Sequence, residues 1–286
     1  MPTLTANGVQ LHYDDVGTGP QTIVFLHGLM LASESYEAQR EAFRATHRVI
    51  TFDLRGQGRS EKTQIGLDLD TLAADAAALV KQLVGGPCHV VGFSMGSFVA
   101  MRVAARHPAL VRSLTLIGPS ADAEEPENQP RYARLIRFMR WFGPALLAPR
   151  MMKILFGDTY LRSPLVEAER ARWLAYLKAL PRNLHLAAAA SAGRRAMTDE
   201  LARITAPTLI VSGEEDRPIS PARSRAVHLG IANSQFVSFP RTGHAVMIER
   251  SEGFNIRLRH FLAHVEQASE QLGSSPATSI PLTTNS

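Results

Sequence analysis

The first 118 residues alternate between short apolar runs and stretches with helical spacing. Thr22–Leu26 (TIVFL), Arg48–Phe52 (RVITF), His89–Phe93 (HVVGF) and Ser113–Ile117 (SLTLI) are rich in β-branched residues and bounded by Gly, Pro or Asp. Runs of this length and composition predict buried strands. Between them, Leu72–Leu83 (LAADAAALVKQL) repeats its apolar residues at helical intervals until Gly85-Gly86-Pro87 stops it. Met95–Arg106 does the same and ends at His107-Pro108. Strand and helix in alternation predict a mostly parallel sheet covered on both faces. Asn7-Gly8, between Thr3–Thr5 and Gln10–Tyr13, predicts an opening hairpin.

The pattern changes after Pro119. Helical spacing continues through Arg131–Phe142, Pro144–Phe156, Pro164–Leu180 and Asn183–Arg194, with no clear strand. Alternation then resumes with Thr208–Ser212, Pro221–Leu229, Gln235–Phe239 and Gly253–Gln267. The simplest account is one α/β core built from residues 1–119 and 203–272, interrupted by a helical cap at 120–202. The Ser- and Thr-rich segment 273–286 is expected to be a disordered tail. No internal repeat is evident.

Composition narrows the class. The 286 residues are 45% hydrophobic and 20% charged, as in ordinary globular proteins and unlike disordered or coiled-coil chains. No apolar run approaches the ~18–20 residues of a membrane helix, and MPTLTANGVQ has neither the basic start nor the apolar core of a signal peptide. Cys88 is the single cysteine, so no internal disulfide forms. A soluble, cytoplasmic protein is expected, and without a Cys/His cluster neither metal nor cofactor is. The net charge of +5 is uneven: Arg131–Arg195 holds thirteen Lys and Arg against Asp158, Glu167 and Glu169. Such a segment can attract anions, although solvated faces of amphipathic helices explain it more simply. Trp141, Phe142, Trp173 and Tyr176 recur at helical spacing with Leu and Ile, so they read as core rather than as a base-stacking platform. No nucleic-acid partner is expected, and the oligomeric state is not legible.

The strongest chemical signal is Gly92-Phe93-Ser94-Met95-Gly96, a Gly-x-Ser-x-Gly between a predicted strand and a predicted helix. There Ser94 would sit on a sharp turn, its hydroxyl presented above a helix N-terminus. A serine needs a base, and the base an orienting carboxylate. Of ten histidines, His244 in Thr242-Gly243-His244-Ala245 follows the last predicted strand, at the sheet edge where a base could reach Ser94. His12, His47, His89, His107, His185, His228, His260 and His264 read as surface or core. For the carboxylate, Gly213-Glu214-Glu215-Asp216 follows another strand; Asp216 is preferred, with Glu214 and Asp122 in reserve. Oxyanion donors would be the amides of Met95 and of Leu29, in the loop His27-Gly28-Leu29-Met30. His27, directly at a strand end, reads as structural.

These segments, with FDLRGQGRS (52–60), SGEEDRPIS (212–220) and RTGHAVMIE (241–249), resemble the α/β-hydrolase superfamily, specifically its small serine esterases and lactonases with a helical cap. The resemblance spans residues 22 to about 265. It implies an eight-stranded α/β-hydrolase fold, Ser94 as nucleophile, Asp216 as acid, His244 as base, and the Leu29 and Met95 amides as oxyanion hole. It also makes Asp53, Arg55, Gly56, Gly58 and Ser60 a loop that braces the His-Gly turn. Departures are Gln57 in place of a frequent His, Ser97 in place of a second Gly, and Tyr36 in place of a Trp, which would alter one pocket wall. Serine at 94 argues against dehalogenase and epoxide hydrolase chemistry. The expected activity is hydrolysis of carboxylic esters with short to medium acyl chains, in an apolar pocket flanked by Met30, Phe93 and Met247. The alternatives are enol-lactonase, C–C hydrolase or perhydrolase chemistry and, in a different class, a non-catalytic ligand-binding protein.

Overall fold

A computed structural model describes residues 2–274. The residues beyond 274, most of the expected tail, lie outside the described residues. Eight strands form one sheet: β1 (Thr3–Ala6), β2 (Val9–Val16), β3 (Thr22–Leu26), β4 (Arg48–Phe52), β5 (Cys88–Phe93), β6 (Val111–Ile117), β7 (Thr208–Gly213) and β8 (Ser234–Phe239). Their spatial order is β1-β2-β4-β3-β5-β6-β7-β8. The opening hairpin pairs antiparallel, β2 pairs antiparallel with β4, and every later pairing is parallel. The central strands are apolar throughout because both faces are covered; all five residues of β3 are buried.

Strand periodicity splits the core in two. Val24 and Leu26 face one way, with Val90, and pack on α2 (Leu69–Leu83) and α3 (Met95–Arg106). Ile23 and Phe25 face the other way, with Val91 and Phe93, toward α1 (Glu37–Phe43) and α11 (Ser251–Ser274). Asp68 caps α2 by accepting from the Thr71 amide at 2.9 Å, supporting the start of a helix that the apolar pattern detects only from Leu72.

Between β6 and β7 the described residues contain helices and no strand. These are α4 (Gln129–Phe142), α5 (Ala148–Leu155), α6 (Asp158–Arg162), α7 (Glu167–Lys178) and α8 (Leu184–Ala192). The insertion is continuous with the second core face, where Met151, Leu155, Phe156, Trp173 and Leu177 are buried with Phe25 and Met247. Two expected helices start late: 3₁₀ turns occupy 145–147 and 164–166, each followed by a regular helix. Trp141 and Phe142, expected in the core, close α4 on the outside and are 67% and 61% exposed, whereas Trp173 is buried. The core resumes with α9 (Pro221–Gly230) and α10 (Val246–Glu249). No helix among the described residues is long and apolar enough to cross a membrane.

Candidate active site

The parallel ladder delivers the site. The Ser94 amide donates to Ile117 O at 2.8 Å, extending the β5–β6 pairing one residue past the strand. The chain then reverses into α3 with Ser94 at φ 50°, ψ −118°, a region that costs a non-glycine residue about 1–3 kcal/mol. This turn needs bare neighbours, since a Cβ on Gly96 would strike the carbonyls of Leu26 and His27. Met95 opens α3, where a first-turn amide has no acceptor within the helix.

The acidic turn and the histidine loop are stitched together by main chain, Glu215 N donating to Thr242 O at 2.8 Å. Within that frame His244 Nδ1 lies 2.7 Å from Asp216 Oδ2, both side chains essentially buried. The other Asp216 oxygen accepts from the Ile219 amide at 2.9 Å, which fixes the carboxylate plane. The imidazole packs against Phe93, ring centroids 4.7 Å apart. The pairing leaves Nε2 as the atom through which His244 can exchange a proton. Glu214 is exposed, and Asp122 lies in a separate acidic groove with Glu125 and Arg223, so neither reserve carboxylate shares the His244 cavity.

The oxyanion-loop candidate Leu29 lies in the loop that follows β3. Met30 adopts φ 69°, bending the loop after β3. His27 is fully buried: its Nε2 accepts from the Leu54 amide at 2.9 Å and its Nδ1 pairs with Gly28 O at 2.8 Å. Burial holds its pKa down against the nearby Asp53 carboxylate, so the ring stays neutral and links two loops. Burial alone would raise the Asp53 pKa; hydrogen bonds from the Ser33 amide and hydroxyl and the Arg59 amide oppose it, and the Asp53 carboxyl is held below its usual value. Ser60 Oγ donates to Asp53 O, and Arg55 pairs with Asp75 at 2.7 Å.

Ser94, His244, Leu29 and Met30 line one cavity of about 560 Å³, completed by Phe98, Leu135, Ile136, Met139, Leu147, Met151, Ile154 and Ile219, among others. Phe93 and Met247 do not line it. Phe93 faces back under Gly28 and the imidazole, and Met247 is buried in α10 with its carbonyl bound to Gln39. Tyr36 is no pocket wall either; it is buried against Phe25, its hydroxyl donating to Leu26 O at 3.0 Å. The apolar lining comes mostly from α4 and α5, whose inward faces a periodic pattern marks only as generally buried.

A strained serine at a strand-to-helix turn and a histidine oriented by a buried aspartate line one cavity and form a candidate site of the hydrolase type. The chain belongs to the alpha/beta hydrolase family, whose model matches residues 23–257. It is 29% identical over 279 residues to a non-heme haloperoxidase of Rhodococcus erythropolis, covering 92% of this chain and 99% of that one. It is 28% identical over 265 residues to a 2-hydroxy-6-oxononadienedioate/2-hydroxy-6-oxononatrienedioate hydrolase of Paraburkholderia xenovorans, covering 90% and 91%. Among solved structures, a thermophilic esterase from Thermogutta terrifontis superposes with a TM-score of 0.85 at 28% identity, covering 92% of this chain and 98% of that one.

Proposed function

We propose that this hydrolase cleaves carboxylic esters with short to medium acyl chains through an acyl-enzyme on Ser94, with the inserted helices as its cap. The observation that carries this reading is the 2.7 Å pairing of His244 Nδ1 with Asp216 on the cavity that Ser94 also lines. In the proposed cycle His244 Nε2 takes the Ser94 proton as Oγ attacks the ester carbonyl. Asp216 fixes the tautomer and stabilises the imidazolium. The Leu29 and Met95 amides receive the oxyanion, a contribution on the order of 3 kcal/mol per donor. The imidazolium protonates the leaving alcohol, and the same base then activates water to release the acid.

The esterase among the structural relatives supports this substrate class, and the apolar lining from α4 and α5 suits an acyl chain. Hydrogen peroxide or a C–C substrate would use the same nucleophile and base, so a panel of esters, lactones and diketones separates these chemistries on one purified sample. Ser94→Ala is expected to abolish hydrolysis of p-nitrophenyl acetate and butyrate, and labelling by a fluorophosphonate probe, with the circular dichroism spectrum unchanged. Near-wild-type turnover by that variant would sink the nucleophile assignment. A wild type that neither turns over esters nor takes the label would point to a binding protein.

A further inference from the structure

Arg194 follows α8, and its side chain is only 5% exposed although it lines the same cavity as Ser94 and His244. Its guanidinium is held on three sides. Nε donates to Asp122 O at 3.0 Å, Nη1 meets Glu124 Oε2 at 3.0 Å and Ser191 O at 3.2 Å, and the plane lies over the Phe98 ring at 4.9 Å. Nη2 is buried and, among the described residues, has no hydrogen-bond acceptor. A buried cationic donor without an acceptor is unfavourable by itself and ready for an anion. The lining adds Arg131, Arg150 and Lys153, none of which forms an ion pair among the described residues, and Arg217, which pairs with Asp158. Glu124, the acid on this wall, is already engaged by Arg194 and by Asn128 at 3.0 Å. The cavity is therefore apolar in its lining and cationic in its field.

We propose that Arg194 anchors an anion subsite, and that the ester this enzyme is built for carries a carboxylate remote from the scissile bond. The inference rests on the ester-hydrolase reading and narrows its substrate class. Phe98, whose ring carries the guanidinium, lines the same cavity as Ser94 and Arg194, so an acyl chain held at Ser94 can direct a far carboxylate to Arg194. The substrate class that fits is the half-ester of a short dicarboxylic acid, or a lactone bearing a carboxylate away from its ring carbonyl. Arginine suits this task because its planar fork stays charged when buried, and three fixed contacts orient it before substrate arrives.

The competing role for Arg194 is to tie the insertion to the loop after β6, which would affect all substrates equally. Monomethyl adipate and methyl hexanoate separate the two, since they share a six-carbon acyl chain and differ in carboxylate against methyl. Product acid is measured for the wild type, Arg194→Met, and the double variant Glu124→Gln/Arg194→Met, which leaves no unpaired buried carboxylate. For the wild type, the ratio of kcat/KM for the half-ester to that for the hexanoate is expected to exceed one and to fall as ionic strength rises. In both variants the ratio is expected to drop at least tenfold, chiefly through KM for the half-ester. Free adipate is expected to raise the melting temperature of the wild type and not of the variants. An unchanged ratio in the folded double variant, or equal protection of all three by adipate, overturns the proposal. If the wild type hydrolyses neither ester, the ester reading fails on its own, and adipate protection alone then decides whether the anion subsite stands.

Discussion

Gly118 has no side chain, yet it borders the imidazole closely. It sits just past β6 at φ 56°, and a Cβ there would lie 2.8 Å from His244 Cε1, 2.9 Å from Nδ1 and 3.2 Å from Asp216 Oδ2. Gly118→Ala would combine left-handed backbone strain with pressure on the very atoms that pair. Its kcat/KM on p-nitrophenyl butyrate is expected to fall at least tenfold in a protein that still folds; an unaltered value would mean the imidazole has slack. Little of this was legible beforehand. Ser94, Asp216 and His244 stand out because each lies in a patterned turn at a strand end. Gly118 belongs to an ordinary Gly-Pro-Ser turn, and Arg194 is one of thirteen basic residues in its segment, whose burial only packing decides. Phe93 and Met247 do not line the cavity for the converse reason: adjacency to a candidate catalytic position does not say which way a side chain turns.

At the scale of elements, the junction of α5 and α6 lies directly on the histidine loop. Ala245 N donates to Leu155 O at 2.8 Å, and Gly157 and Gly243 approach too closely to admit a Cβ on either. Two carboxylates secure the contact. Glu249 accepts from the amides of Gly243 at 3.0 Å and Gly157 at 3.2 Å, while Glu215 accepts from the Thr159 amide and hydroxyl. Burial pushes the Glu249 carboxyl up to about 7, more than the two amides lower it. The folded protein thus holds this proton more tightly than the unfolded chain, whose glutamates titrate near 4.3. The resulting stabilisation is complete below that value and is lost as pH rises through about 7. Melting the wild type beside Glu249→Gln at pH 5 and pH 8 is expected to show the wild type losing ground on going to pH 8; parallel curves would contradict it. The long parallel strands were readable because continuous β-branched runs have few alternatives. The short helices α1, α6 and α10 were not, because fewer than two or three turns produce no period to detect.

Across the whole molecule, a second buried group opposes this trend. His89 in β5 is buried beneath α11 with Nδ1 2.7 Å from Ser113 Oγ, and burial, assisted by His47 and Arg112, pushes its pKa down to about 3. Glu266 approaches the other ring nitrogen at 3.2 Å but also pairs with His47 at 3.0 Å. The unfolded chain takes up this proton first, near 6.5, so stability present above that pH is lost as pH falls toward 3. The Glu249 and His89 contributions have opposite slopes and largely cancel between about 4.5 and 6.5. Acidification from pH 7 to 4.5 is therefore expected to cost His89→Gln less melting temperature than the wild type, and an equal loss would show that His89 is not the group responsible. The main-chain seam between the insertion and the histidine loop has a consequence for turnover. Prising the insertion up along that seam would pull His244, the proton carrier of the proposed cycle, away from Asp216. On that reading, a route for substrate past α4 and α8, whose residues also line the cavity, would leave the α5–α6 corner and its hold on the His244 loop undisturbed.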